Sequence, residues 1–97
     1  MKKRQGDILF VKVKELPKEL SPKKDCIIAE GETTGHKHLL VDGELLKDDK
    51  ENLFINVTAE KATVKHEEHK AITLPAAQYK VMKQREYEPD GWRNVLD

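Results

Sequence analysis

No stretch of this chain repeats its apolar residues at the 3.6-residue interval that builds an amphipathic helix. Short runs rich in β-branched and other apolar residues occur instead, and glycine, proline or charged residues separate them. Their spacing of roughly 8–12 residues is typical of sheets built from short strands. The sequence therefore predicts an all-β fold, a small antiparallel β-barrel or sandwich of about seven to eight short strands.

The expected strands follow these apolar runs. They cover residues 8–13, 26–30, 36–41, 53–57, 62–66, 71–74 and 78–87. Pro75 is expected to end the sixth strand, because proline cannot donate a hydrogen bond to a sheet ladder. The lysine-rich residues 18–24 are expected to form a solvated loop.

One turn signal stands out between two of the runs. Asp42-Gly43 separates two apolar segments, and Asp-Gly favours a two-residue type I′ turn because both central residues need a positive φ. This predicts a β-hairpin in which Leu40 pairs with Leu45. The turn would supply an eighth strand.

Length and composition narrow the class of protein. Ninety-seven residues fit one domain over residues 1–97, with an irregular tail from about residue 89. Eighteen basic and 18 acidic residues cancel, which argues against nucleic-acid binding by bulk charge. The single cysteine, Cys26, excludes an internal disulfide and is expected to be a small buried residue. No apolar run approaches the ~20 residues of a membrane span, so we expect a soluble cytoplasmic protein. The sequence leaves the oligomeric state open and is compatible with a homodimer.

The four histidines form two tight clusters, and these are the candidate metal ligands. His36 and His38 are two residues apart, so on a strand both imidazoles point to one face, roughly 6.6–7 Å apart. His66 and His69 flank two glutamates and converge only if that segment turns. Neutral imidazole is the usual ligand for zinc, nickel, copper and iron. The pattern indicates a divalent-metal site.

The strand faces favour a shared site. His66 lies on the same side as Ala62 and Val64, and His38 shares a side with Leu40, so both clusters tend toward apolar faces near strand ends. Pockets commonly form at the mouth of a small barrel. Glu67 and Glu68 are candidates for an extra ligand or a general base in the same site.

A second polar segment ends the last predicted strand. Arg85 could clamp a carboxylate or phosphate, and Tyr87 could donate a hydrogen bond, which makes both candidate catalytic residues. The alternative is a cross-strand ion pair of Arg85 with Glu67 or Glu30 and a half-buried tyrosine.

Three function classes stay open. The first is a metal-dependent hydrolase or metal-binding protein, with a small-molecule or phosphate-bearing substrate. The second is a non-enzymatic interaction module whose histidines lie on the surface or respond to pH. The third is a metal-free phosphodiesterase or RNase that uses two histidines as acid and base, with Arg85 or Lys65 on the phosphate. Whether the chain is an enzyme is undecided by its sequence.

Four segments together resemble a small uncharacterised bacterial family. They are Arg4-Gln5-Gly6-Asp7, residues 29–38, His66-Glu67-Glu68-His69 and residues 84–87. Members of the family carry RQGD, AEGExTGHxH, HEEH and QREY in this order. The resemblance spans nearly the whole chain and implies that the segments work as one unit, but it implies no activity.

A second similarity is to the cupins, small β-barrels that bind one metal through HxH, a following glutamate and a later histidine. His36, His38 and Glu44 are similar to the first cupin motif, with Glu44 falling at the Asp-Gly turn. The later cupin histidine follows a PxG turn, whereas His66 and His69 precede Pro75. The resemblance implies a single metal held inside a barrel.

Overall fold

The computed structural model describes residues 2–30 and 35–83 of the chain. Within these residues the structure is all-β, as predicted, and contains eight strands and no helix. The strands are β1 Lys2–Gln5, β2 Ile8–Val13, β3 Ser21–Pro22, β4 Ile27–Glu30, β5 Lys37–Val41, β6 Glu44–Lys47, β7 Leu53–Lys65 and β8 Ile72–Lys83. The described part of the chain has no helix long and apolar enough to cross a membrane.

All eight strands belong to one antiparallel sheet. Its order is β1-β2-β8-β7-β5-β4, with β6 on β7 and β3 on β6. Among the described residues β1 and β4 pair with one neighbour each and not with each other, so the sheet is not closed into a barrel. The bent sheet encloses its core in a sandwich-like way.

The core lies on one face of the two longest strands. In β7 the core residues Ile55 and Val57 are two positions apart before the register irregularity, and Ala62 and Val64 are two positions apart after it, as the two-residue period of a strand requires. The largest side chains that are essentially inaccessible to solvent are Tyr79, Phe10, Ile55, Leu74 and Val64. The hydroxyl of Tyr79 donates to the carbonyl of Pro75 at 2.7 Å, so this buried aromatic keeps a partner for its polar atom.

The predicted hairpin at Asp42-Gly43 is wrong. β5 and β6 do not pair with each other; both run antiparallel to β7, with Leu40 opposite Val64 and Leu45 opposite Ile55. Asp42 has φ 66°, but Gly43 is not at positive φ, so the turn is not type I′. Both leucines bury their side chains against the long strand, and a two-residue turn signal contains no information about such a distant partner.

Two predicted breaks are also absent. Residues 53–57 and 62–66 belong to the single strand β7, apart from His66, and β8 runs through Pro75. Pro75 pairs with Lys61, directly beside a register irregularity between Val57 and Lys61. Because the ladder is already disrupted there, the missing N–H of proline costs little.

Two smaller expectations need correction. The loop over residues 18–24 contains the short strand β3, which pairs with β6. Cys26 is exposed rather than buried, because β4 begins one residue later and its buried position is Ile28.

The turn between β6 and β7 contains a strained residue. Asp48 organises this turn, since its Oδ1 accepts the backbone N–H groups of Lys50 and Asn52 at 2.9 and 2.8 Å. Glu51 lies at φ 68°, in the left-handed region that costs a residue with a Cβ roughly 1–2 kcal/mol.

We expect Glu51→Gly to raise the free energy of unfolding by about 1 kcal/mol, because glycine adopts this φ without the steric cost. Urea unfolding measures the change. Glu51→Ala is the matched control, since it removes the same exposed carboxylate, 3.7 Å from Lys47, and keeps the unfavourable φ. Equal stabilities of the two variants would contradict the assignment of strain to Glu51.

Candidate functional site

The structure brings all four histidines together at one end of the sheet. The ring centroid of His66 lies 4.3 Å from that of His38, 4.5 Å from that of His69 and 5.9 Å from that of His36. The rings of His38 and His69 are 6.2 Å apart and nearly parallel. His66 is therefore the centre of this histidine cluster.

Strand register and one short loop create the cluster. His38 lies on the core-facing side of β5 with Leu40, and both are buried. On β7, Ala62 and Val64 face the core, and His66 follows on the same side just beyond the strand end. The loop from β7 to β8 then turns and returns His69 to the cluster. The strand ends thus place two sequence-distant pairs at one site.

Gln5 holds His38 in a defined orientation. Its side-chain nitrogen donates to the carbonyls of Val64 and Lys70, each at 2.9 Å. With the amide nitrogen committed to two carbonyls, the amide oxygen faces His38 Nδ1 at 2.8 Å and must accept. His38 therefore carries its proton on Nδ1, and its Nε2 keeps a free lone pair. Both side chains are buried, so this network is shielded from competing water.

His66 carries its proton on the other ring nitrogen, Nε2. The backbone N–H of Glu68 donates to His66 Nδ1 at 3.0 Å. Its Nδ1 is thus an acceptor, and the proton of the neutral ring lies on Nε2. The two adjacent rings present one free lone pair, on His38, and one N–H donor, on His66.

Gly6 makes room for His69. Gly6 lies in the turn between β1 and β2 at φ 62°, and a Cβ at this position would approach Nε2 of His69 to 2.8 Å. Any other residue would therefore carry both the left-handed backbone penalty and a steric collision with the imidazole. The β1–β2 turn forms a wall of the cluster.

The two glutamates of the loop attach it to the start of β5. Glu67 Oε1 accepts the backbone N–H of Lys37 at 3.1 Å, and Glu68 Oε1 lies 3.3 Å from His36 Nδ1. Both glutamates are exposed. These contacts connect the loop to the strand that presents His36 and His38.

Burial and neighbouring charge suppress protonation of His38. Loss of hydration is the main cause, the proximity of His66 and His69 adds to it, and Asp7 opposes it; together they lower the pKa of His38 from 6.5 to about 4. At neutral pH the ring is uncharged, and its Nε2 lone pair is available to a hydrogen-bond donor or a metal ion.

The remaining candidates lie apart from the cluster or outside the described residues. Arg85, Tyr87 and the tail from about residue 89 fall outside the described residues. Glu44, the cupin-like glutamate, lies on β6, where its Oε1 accepts from Asn56 Nδ2 at 3.2 Å. Over residues 2–30 and 35–83, no group of three or more His, Cys, Asp or Glu side chains is arranged to hold a metal ion. The rings are adjacent, but their nitrogens do not converge.

Sequence reasoning missed the roles of Gln5 and Gly6. Neither residue belongs to a metal or catalytic pattern, and their partners are 33 and 63 residues away in the chain. The sole signal was their place in the Arg4-Gln5-Gly6-Asp7 segment of the family resemblance.

Gly6→Ala should lower the free energy of unfolding by somewhat more than the backbone penalty of about 1–2 kcal/mol, because the exposed imidazole of His69 must also shift. Gly35→Ala is the matched control: Gly35 lies at φ 75°, but a Cβ there meets nothing within 4 Å, so about 1–2 kcal/mol is expected. Urea unfolding measures both losses. Equal losses would show that His69 does not pack on Gly6.

Stability of the metal-free protein should fall between about pH 6.5 and pH 4 because of His38. The folded pKa lies below the unfolded one, so the unfolded chain binds more protons in this window. The stabilisation is complete above about pH 6.5 and decreases by up to about 3 kcal/mol as the pH falls to 4.

The control for this pH dependence is His38→Asn, which keeps a donor for Gln5 and does not titrate. Urea unfolding across this pH range should give a shallower profile for the variant than for the wild type. Identical profiles would contradict the burial-induced shift.

Comparison with known proteins shows which residues of the chain match a described family. No curated protein and no solved structure matches the chain. A family profile described as a domain of unknown function, DUF8820, matches residues 4–84, which include Gln5, Gly6 and all four histidines. This match agrees with the expectation of an uncharacterised family. The chain belongs to the DUF8820 family of domains of unknown function.

Proposed function

We propose that this protein binds one divalent transition-metal ion in the histidine cluster. The observation that carries the proposal is the Gln5–His38 hydrogen bond, which fixes the His38 proton on Nδ1 and leaves the Nε2 lone pair free. Metal-binding histidines commonly donate their second ring N–H to such a partner, which orients the ring. The ring of His66 lies 4.3 Å and that of His69 6.2 Å from this buried side chain, and His36 joins the cluster through His66.

Binding requires one local change, which makes the proposal specific. Coordination through His66 Nε2 would require the ring proton on Nδ1, the atom that accepts the Glu68 N–H in the structure. The loop from β7 to β8 must therefore release this hydrogen bond when the ion binds. The ligands would assemble as the loop shifts.

The number of ligands decides the role of the ion. If His38, His66 and His69 were the ligands, the ion would keep an open position and could supply an activated water for hydrolysis. Glu67 or Glu68 would then serve as an extra ligand or as a general base. If His36 also binds, the site is closed and the ion stabilises the sheet ends. Zinc, nickel, copper and iron all accept imidazole ligands.

The test is metal binding by protein without a histidine tag. Elemental analysis and calorimetric titration with zinc, nickel, copper and ferrous iron should give one ion per chain. His38→Asn, which keeps the donor to Gln5, should weaken binding by about 100-fold or more, because it removes the pre-oriented lone pair. The amide resonance of Glu68 should shift on binding.

Cys26→Ser is the matched control, since Cys26 is exposed and carries the single thiol of the chain. It should leave affinity unchanged. Absence of a stoichiometric ion after titration with all four metals, or loss of binding in Cys26→Ser instead of His38→Asn, would refute the metal site.

A second function is favoured by the complementary protonation of His38 and His66. A ring with a free lone pair could act as a general base, and the neighbouring ring could act as the general acid in its protonated form. We infer that such a pair would support metal-free cleavage of a phosphodiester. Turnover of bis(4-nitrophenyl) phosphate in excess EDTA, abolished by His38→Asn or His66→Asn, would favour it over the metal site. Lack of both turnover and metal binding would leave the interaction-module interpretation.

A further inference from the structure

We propose that an open groove beside the histidine cluster binds the phosphate group of a small phosphate monoester. The groove has a volume of about 410 Å³, and its lining residues are Gly35, Lys37, Leu39, Lys65, His66 and Glu67. This inference rests on the proposed function, because it names the substrate class on which the same site would act. His66 is shared by the groove and the cluster.

Strand pairing places two lysines on the same side of the groove. Leu39 of β5 lies opposite Lys65 of β7. Lys37 lies two residues before Leu39 in β5 and therefore shares its face. This face is the reverse of the one that buries His38 and Val64. The groove therefore extends from the two lysines to His66, just beyond the end of β7.

The ammonium groups of Lys37 and Lys65 are available to a ligand. Neither makes an ion pair or a side-chain hydrogen bond within the part of the chain that the structure describes. Lysine is a common phosphate-binding residue that acts as a point charge with several donors. The two ammonium groups match the double negative charge of a phosphate monoester and can donate to its terminal oxygens.

Leu39 gives the groove an apolar floor. It is half-buried and lies between the two lysines in the strand pair. An apolar floor with a cationic rim suits a ligand that carries both an apolar body and a phosphate. The volume easily accommodates a phenyl ring with its phosphate group.

Glu67 is the acidic group of the groove and gives the proposal its sharpest test. Its Oε1 accepts the Lys37 backbone N–H. Glutamine keeps an oxygen acceptor for this N–H and removes the negative charge. Glu67→Gln should therefore tighten phosphate binding while preserving the loop attachment.

The experiment is a titration with phenyl phosphate, followed by the amide resonances of Lys37, Leu39 and Lys65. Protein in EDTA and metal-loaded protein are titrated separately, and the metal content of each sample is measured. Benzoate, with the same ring and a single negative charge, and inorganic phosphate, without the ring, are the comparison ligands. The expected order of affinity is phenyl phosphate first, then inorganic phosphate and benzoate.

Lys37→Gln/Lys65→Gln should raise the dissociation constant for phenyl phosphate by about fivefold or more, and salt should weaken binding to the wild type. Lys12→Gln/Lys14→Gln is the matched control. It removes the same charge from exposed positions at the end of β2, which is two strands away from β7. The control should change the constant less than about twofold.

Equal effects of the two double variants, resonance shifts elsewhere in the sheet, or weaker binding by Glu67→Gln would overturn the groove assignment. Failure of the groove assignment can be distinguished from failure of the metal-site proposal. A stoichiometric ion without phosphate shifts refutes the groove alone. Phosphate shifts at the groove in a protein that binds no metal support the groove and refute the metal proposal.

Discussion

The buried side chain of Gln5 connects the parts on which the histidine cluster depends. Its three hydrogen bonds reach His38 on β5, the carbonyl of Val64 on β7 and the carbonyl of Lys70 in the following loop. A buried polar atom without a partner costs roughly 1–3 kcal/mol, so β1 is held where all three bonds are satisfied. The same bonds determine which nitrogen of His38 carries the proton. The hydrogen bonds of Gln5 thus determine both the position of β1 and the protonation of His38.

The long antiparallel pair of β7 and β8 supplies the scaffold for this end of the sheet. The loop that joins them carries His66 and His69, so the two strands determine where that loop can lie. β5 continues the sheet on the other side of β7 and contributes His38. The register irregularity between Val57 and Lys61 lies far along β7 from the cluster. The β5–β7 pairing beside the cluster is therefore regular, whereas the β4–β5 pairing shifts register between Ile27 and Ala29, opposite Leu39 and His38.

Much of the architecture was predictable from residue patterns because those patterns are local. Alternation of apolar and polar residues predicted the all-β class and the core-facing positions of Leu40, Ala62 and Val64. The same alternation placed His38 on the buried face. Where the pattern was interrupted, prediction was wrong: Asp42-Gly43 does not form a hairpin and Pro75 does not end a strand. In both places β7 is the distant partner that determines the outcome.

The sequence by itself determined the strand class, the two histidine pairs and their faces, because side-chain alternation and residue spacing depend only on neighbours in the chain. Tertiary structure alone decided that the four rings meet, that Gln5 orients His38 and that Gly6 admits His69. It also placed Lys37 and Lys65 along one groove. These features join residues that are tens of positions apart, and their geometry arises from strand register and burial, which no local pattern encodes.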